Sequence, residues 1–336
     1  MGRQPLLNPK LALITSSLLE EKDFIPTIAK ATNELFHLLM EITQLNPEEE
    51  ILRTPVLLPD GKGIGPYWAA MCINDLMRTK KFVRGLFCAI QAAQQRFPGI
   101  PVHVLYAGTG PFATLALPMT SVFTADQVQF TFLEVNPFAH QMVEQTISDF
   151  GIEAYVREVV LTDATRYIPT GDVHILLSET MQRALDKEPQ VAITHHLIPY
   201  LHPEGLLVPE SIEIQAGLLN PANEITRMQD FINPPEHYIE YLQTIFALNQ
   251  YTSRSFSGEF PTTELVVSAA QAEKHPQLHL FTHIQVFDKV ALTPWQSGLT
   301  LPKKIADLHF QNQTHLGFSF QYLSGDTPGF HFRALE

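Results

Sequence analysis

The sequence predicts an α/β protein: a helical segment first, then a parallel sheet wound with helices, then an antiparallel β domain. Three observations predict it. Short apolar runs alternate with helix-like stretches between residues 100 and 205. The first of those runs ends in a glycine turn, as a ligand-binding strand does in a wound sheet. Beyond Gly205 the helix rhythm gives way to short strand-like runs divided by turns.

In chain order, residues 10–45 carry apolar side chains at helical spacing (Ile28, Leu35, Leu38, Leu39, Ile42) until Asn46 and Pro47 close the pattern. Pro55, Pro59, Gly61, Gly63, Gly65 and Pro66 then predict a loop, and residues 67–95 return to helix, which completes a first unit over residues 1–99. Residues 102–106, 130–135, 154–160 and 173–177 read as strands, with helices expected from 113, over 137–150 and over 191–201, in a second unit over 100–205. The third unit, 206–336, has strand-like runs at 206–208, 212–218, 264–269, 278–287 and 316–322, with a helical insertion near 222–249.

Composition narrows the function classes. Hydrophobic residues at 45% and charged residues at 17% exclude a disordered chain. A net charge of −13 argues against sequence-independent nucleic-acid binding and favours cationic partners. Cys72 and Cys88 have no CxxC partner, which suits reduced thiols in a cytoplasmic protein and neither a disulfide framework nor a zinc site. The apolar stretch at residues 11–19 is closed at once by Glu20, Glu21 and Asp23, so neither a signal peptide nor a membrane anchor is expected. His195 and His196 lack a third ligand at metal spacing, and Trp68 and Trp295 are expected to pack.

The turn at Ala107-Gly108-Thr109-Gly110 is followed, 24 residues after Gly110, by Glu134 at the end of the next strand. Glycines let backbone approach a ligand, and an acid at that strand end can accept both hydroxyls of a ribose. Tyr106 stands where a dinucleotide site has its first glycine, which counts against NAD. The pattern resembles motif I of S-adenosylmethionine-dependent methyltransferases, a resemblance that extends to Asp163 and Ala164 after the third strand.

Glu179 and Glu188 lie nine residues apart after the fourth strand. On one continuous helix they would point to opposite faces, so they meet only if the segment folds back as a loop. At the carboxyl edge of a parallel sheet, two such acids suit a planar, bidentate cation.

This Ser-Glu with a second Glu nine positions on resembles the double-E loop of the protein arginine methyltransferases. Asp75-Leu76-Met77-Arg78-Thr79 resembles that family's helix in which the Arg holds the carboxylate of the cofactor. Residues 197–209 resemble its helix-to-barrel crossing, and Thr282-His283-Ile284 its Thr-His-Trp motif with Ile in place of Trp. The similarity spans residues 66–290, but the family's Tyr-Phe-x-x-Tyr lid has no counterpart beyond Pro66-Tyr67-Trp68.

The resemblance implies a Rossmann-like methyltransferase sheet, followed by an antiparallel β-barrel-like domain, that takes S-adenosyl-L-methionine through Arg78, Ala107, Gly108, Gly110, Glu134, Asp163 and Ala164. It implies methyl transfer to an arginine guanidinium held by Glu179 and Glu188, with the proton leaving through His283 paired with Asp75. No metal is implied. The substrate expected is a cationic, arginine-containing peptide or protein, with free arginine or another small molecule as the alternative. An inactive scaffold that only binds a partner is a third reading, and a homodimer is possible.

Overall fold

The structure is a computed structural model that describes residues 4–229, 239–310 and 313–335. Four helices open the chain: α1 (Gln4–Leu19), α2 (Ile25–Thr43), α3 (Pro66–Met71) and α4 (Leu76–Arg96). Between α2 and α3 the expected loop contains a small antiparallel hairpin, β1 (Val56–Leu58) and β2 (Gly61–Gly63). Leu35, Leu38 and Leu39 of α2 are fully buried, as their spacing requires, and Asp75 caps α4 by accepting the Arg78 N–H at 3.2 Å.

The central sheet contains β3 (Val102–Ala107), β4 (Val128–Glu134), β5 (Val156–Leu161), β6 (Val173–Ser178) and β7 (Leu201–Val208) in the order β5-β4-β3-β6-β7. All four pairings are parallel. Every residue of β3 and β6 is buried, since helices cover both faces. On one face, Leu105, Leu176, Ile193 and Leu197 form a separate apolar cluster with α6 (Gln190–Leu197), while α4 and α5 (Pro137–Phe150) lie over the other.

Two expectations about this unit are corrected. The helix expected from residue 113 is replaced by two short 3₁₀ turns, Gly110–Phe112 and Leu117–Ser121, because Pro118 denies the N–H that a helix running on from 113 needs and Ala113 takes the left-handed conformation between them. Residues 206–208, assigned from sequence to the antiparallel unit, belong to β7 and extend the parallel sheet.

The last unit contains β8 (Ser211–Leu219), α7 (Pro221–Gln229), β9 (Ile239–Asn249), α8 (Gln250–Arg254), β10 (Thr263–Ser268), α9 (Ala269–Lys274), β11 (Gln277–Phe287), β12 (Val290–Leu292), β13 (Lys303–Asp307), β14 (His315–Leu323) and β15 (Gly329–Leu335). The described strands form two antiparallel sheets, β12-β11-β8-β9 with β13 on β11, and β10-β14-β15, rather than one closed barrel. The helical insertion is correct only for Pro221–Gln229; residues 230–238 lie outside the described residues, and Ile239–Asn249 is a strand. Its Ile, Phe and Leu, spaced for burial against β8, override the helical pattern. The antiparallel unit packs on α4 through β11 and β12. No helix among the described residues is long and apolar enough to cross a membrane.

Candidate active site

The strand order reverses at β3 and β6, which is where a wound sheet opens a crevice at its carboxyl edge. A cleft of about 990 Å³ lies there, and its lining includes Gly108, Gly110, Glu134, Asp163, Ala164, Arg78, Glu179 and Glu188. The sequence-predicted residues therefore converge from four strand ends and one helix. Three are exceptions: Ala107 is a fully buried strand residue behind the lining, and Asp75 and His283 lie outside it.

Gly108 has φ +74°, and a Cβ there would come within 2.2 Å of the Thr180 methyl, so the turn after β3 can pass the turn after β6 only as glycine. Glu134 is buried at the end of β4. Its Oε1 accepts the Val135 and Asn136 N–H groups, both at 2.8 Å, and its Oε2 accepts the Gly110 N–H at 2.8 Å. Burial raises its pKa, opposed by those backbone donors. A carboxylate has about four acceptor sites, and the Thr109 hydroxyl, a long 3.4 Å from Oε2, takes the fourth, so a ribose hydroxyl enters only by displacing Thr109, and not two as the sequence suggested. Asp163 accepts the Thr165 N–H at 2.9 Å and its hydroxyl at 2.7 Å, the work of a turn residue at the cleft edge.

Arg78 and Glu179 meet directly. The Arg78 Nη2 lies 2.6 Å from each Glu179 oxygen, with side-chain exposures of 15% and 11%. Burial pushes the Glu179 carboxyl up to about 7, against the pull of the Arg78 guanidinium and with a further push from Glu188. Glu188 is also buried and raised, first by burial, with a Gln182 hydrogen bond opposing. Two carboxylates and one guanidinium thus share a dry wall of the cleft, and the cation is engaged through one nitrogen, leaving donors of its fork free.

The segment between the two glutamates folds back as a loop. Ala184, Leu185 and Lys187 have φ of +55°, +54° and +65°, a conformation that costs each about 1 kcal/mol or more and persists where surroundings over-determine it. Here they do. The Thr282 hydroxyl accepts the Ala184 N–H at 2.9 Å, Pro328 O accepts the Lys187 N–H at 2.7 Å, and Lys303 pairs with Asp186. The β1–β2 hairpin supports the other side, with Lys62 N–H donating to Lys187 O at 3.0 Å. Gly61 permits this close approach, since a Cβ would stand 2.9 Å from Lys187 O.

The His283–Asp75 pair is not formed. The Asp75 carboxylate accepts the Ser297 hydroxyl at 2.7 Å and the Gly298 N–H at 2.8 Å besides capping α4. His283 stands opposite Glu213 on β8 and packs its ring 5.6 Å from Tyr241. Residues 282 and 283 alternate across β11, so Thr282 facing the double-glutamate loop turns His283 away from it. Trp295 packs against Phe281, whereas Trp68 is half exposed at the cleft mouth.

Gln190 went unnoticed in the sequence. Its buried Oε1 accepts the Thr180 N–H at 2.9 Å and the hydroxyls of Thr180 and Ser178 at 3.1 and 3.3 Å, fixing the peptide that carries Glu179. A glutamine after a proline carries no local signal for that task. No group of three His, Cys, Asp or Glu able to hold a metal lies among the described residues.

Neither a family model nor a curated protein matches the sequence. Solved structures do match in shape. A Trypanosoma brucei PRMT1 enzyme–prozyme heterotetrameric complex with AdoHcy matches with TM-score 0.51 and 12% identity, over 79% of this chain and 96% of that one. PRMT6 with SAH gives 0.53 and 10%, over 75% and 96%. Arabidopsis thaliana protein arginine methyltransferase 10, in an open conformation, gives 0.53 and 11%, over 76% and 87%. The chain has the fold of these protein arginine methyltransferases.

Proposed function

We propose that this protein is an S-adenosyl-L-methionine-dependent methyltransferase that places a methyl group on a guanidinium nitrogen of arginine. The observation that carries the reading is the convergence of Glu179 and Glu188 with Arg78 on the cleft that also receives the Gly108 turn and Glu134. The folds of the SAH- and AdoHcy-bound neighbours support it.

The cleft fits the cofactor. A ribose hydroxyl would take the place of the long Thr109 contact on Glu134 Oε2, the unused donors of Arg78 suit a carboxylate, and the turn at Gly108 leaves backbone exposed to a ligand. Bound there, S-adenosylmethionine supplies a methyl group on a cationic sulfonium. The substrate guanidinium has a pKa above ~12 and is also cationic, so Glu179 and Glu188 must offset a repulsion that the dry cleft strengthens. They would hold the planar group bidentately and draw its positive charge away from the attacking nitrogen. A carboxyl at about 7 is matched to taking the proton released on transfer, and this role falls to Glu179 in place of the distant His283.

A homodimer in the cytoplasm completes the reading, supported by the free thiols of Cys72 and Cys88 and by the heterotetramer named for the Trypanosoma brucei enzyme. The test is transfer from methyl-labelled cofactor to arginine-containing substrates, followed by acid hydrolysis and mass spectrometry. Label on an arginine nitrogen supports the proposal. Label on lysine, a carboxylate or a carbon defeats it.

A further inference from the structure

Beyond the two glutamates the cleft widens into a mouth whose charge is opposite to that of its depth. Its lining holds one carboxylate, Glu188, against three cations, Arg78, Lys62 and Arg183. Arg78 is tied to Glu179, whereas no hydrogen bond or ion pair engages the Lys62 ammonium or the Arg183 guanidinium among the described residues. Lys62 is close enough to lower the Glu188 carboxyl by its charge, and its place is fixed by the backbone bond from Lys62 N–H to Lys187 O. Arg183 is exposed on the double-glutamate loop itself. Trp68, Leu299 and Leu301 supply apolar surface between them.

Resting on the guanidinium reading above, we propose that the substrate is a guanidinium carried beside a carboxylate, the guanidinium going to Glu179 and Glu188 and the carboxylate to Lys62 and Arg183. A substrate rich in further positive charge would set like charges against both free cations at the mouth, which a net charge of −13 spread over the whole chain does not cancel at short range. A carboxylate there gains charge-assisted hydrogen bonds, bidentate in the case of Arg183. Specificity then comes from both ends of the site: the acids reject an anion in the depth, and the cations reject a second cation at the entrance.

The experiment compares kcat/KM for free arginine and for agmatine, which has the same guanidinium and chain without the carboxylate. It adds two peptides, one with arginine between aspartates and one with arginine between lysines. A carboxylate-bearing substrate should exceed its carboxylate-free counterpart by about tenfold or more, the scale of a hydrogen bond between charged groups. The ratio should fall toward one in the Lys62→Ala/Arg183→Ala double variant. Preference for free arginine over the aspartate peptide assigns the α-carboxylate as the source, and the reverse assigns acidic side chains. Agmatine equal to arginine, the lysine peptide ahead of the aspartate peptide, or a ratio untouched by the double variant overturns the inference and leaves the guanidinium reading standing. Methylation of none of the four defeats that reading itself.

Discussion

The two walls of the cleft are built in different ways. On the sheet wall, Glu134 is held by Gly110, Val135 and Asn136, and Asp163 by Thr165, so each functional group is fixed by backbone within one strand-turn unit or its parallel neighbour. The double-glutamate wall takes its shape from far along the chain: Thr282 fixes Ala184, Pro328 fixes Lys187, Tyr322 reaches Leu185 O at 3.3 Å, and Arg78 grips Glu179. The sheet wall is complete within the wound sheet, but the other wall exists only when all units are docked. Binding and chemistry should therefore respond differently to the same kind of substitution.

The largest effect belongs to the link between the walls. Arg78→Ala leaves Glu179 buried without its cation, and breaking such a pair costs about 3–5 kcal/mol. Chemical denaturation should show that loss in the single variant and a smaller one in Arg78→Ala/Glu179→Gln, where the charge is also gone. Equal losses would mean that the pair contributes packing only.

Glu188→Gln should come next, with turnover reduced at least ~100-fold and cofactor affinity kept, because the charge it removes is one proposed to hold the substrate cation. A turnover near that of the parent chain would place Glu188 outside the chemistry.

The raised Glu179 carboxyl sets a pH dependence on the double-glutamate wall. With Glu179 as the proposed proton acceptor the ionised form is the active one, so kcat/KM should climb as pH rises through about 7 and level off above it. The substrate guanidinium, with its pKa above ~12, does not titrate there. A profile flat from pH ~6 to ~8 would separate Glu179 from the rate.

Thr282→Val tests the remote support. The buried Ala184 N–H would lose its acceptor at a cost of about 1–3 kcal/mol, and turnover should drop about tenfold with cofactor affinity unchanged. If affinity falls instead, the two walls are not separable.

The same contrast explains what could be read from sequence. The sheet wall was legible because its pieces are local: a strand, a glycine turn, and an acid at the next strand end keep fixed offsets in any wound sheet. The glutamates were legible as a pair that must fold back, but nothing local announced that Arg78 would grip Glu179, 101 residues away, or that Thr282 rather than His283 would face the loop. Strand alternation decides the second point, and its phase depends on which face of β11 is buried. Ile239–Asn249 was misread for a related reason, since its register against β8 is a property of the docked sheet. The break in the helix expected after β3 was within reach of the sequence, because Pro118 stands in plain view.

The division of labour between the walls is tested most directly by one paired measurement on Glu134→Ala and Glu179→Gln: calorimetric affinity for S-adenosylmethionine beside the single-turnover rate of methyl transfer to arginine. Glu134→Ala should lose affinity by about 1.5–3 kcal/mol, the scale of a hydrogen bond to a charged group, while Glu179→Gln should keep the cofactor and lose at least ~100-fold in rate. Unchanged affinity in Glu134→Ala together with a normal rate in Glu179→Gln would contradict the account.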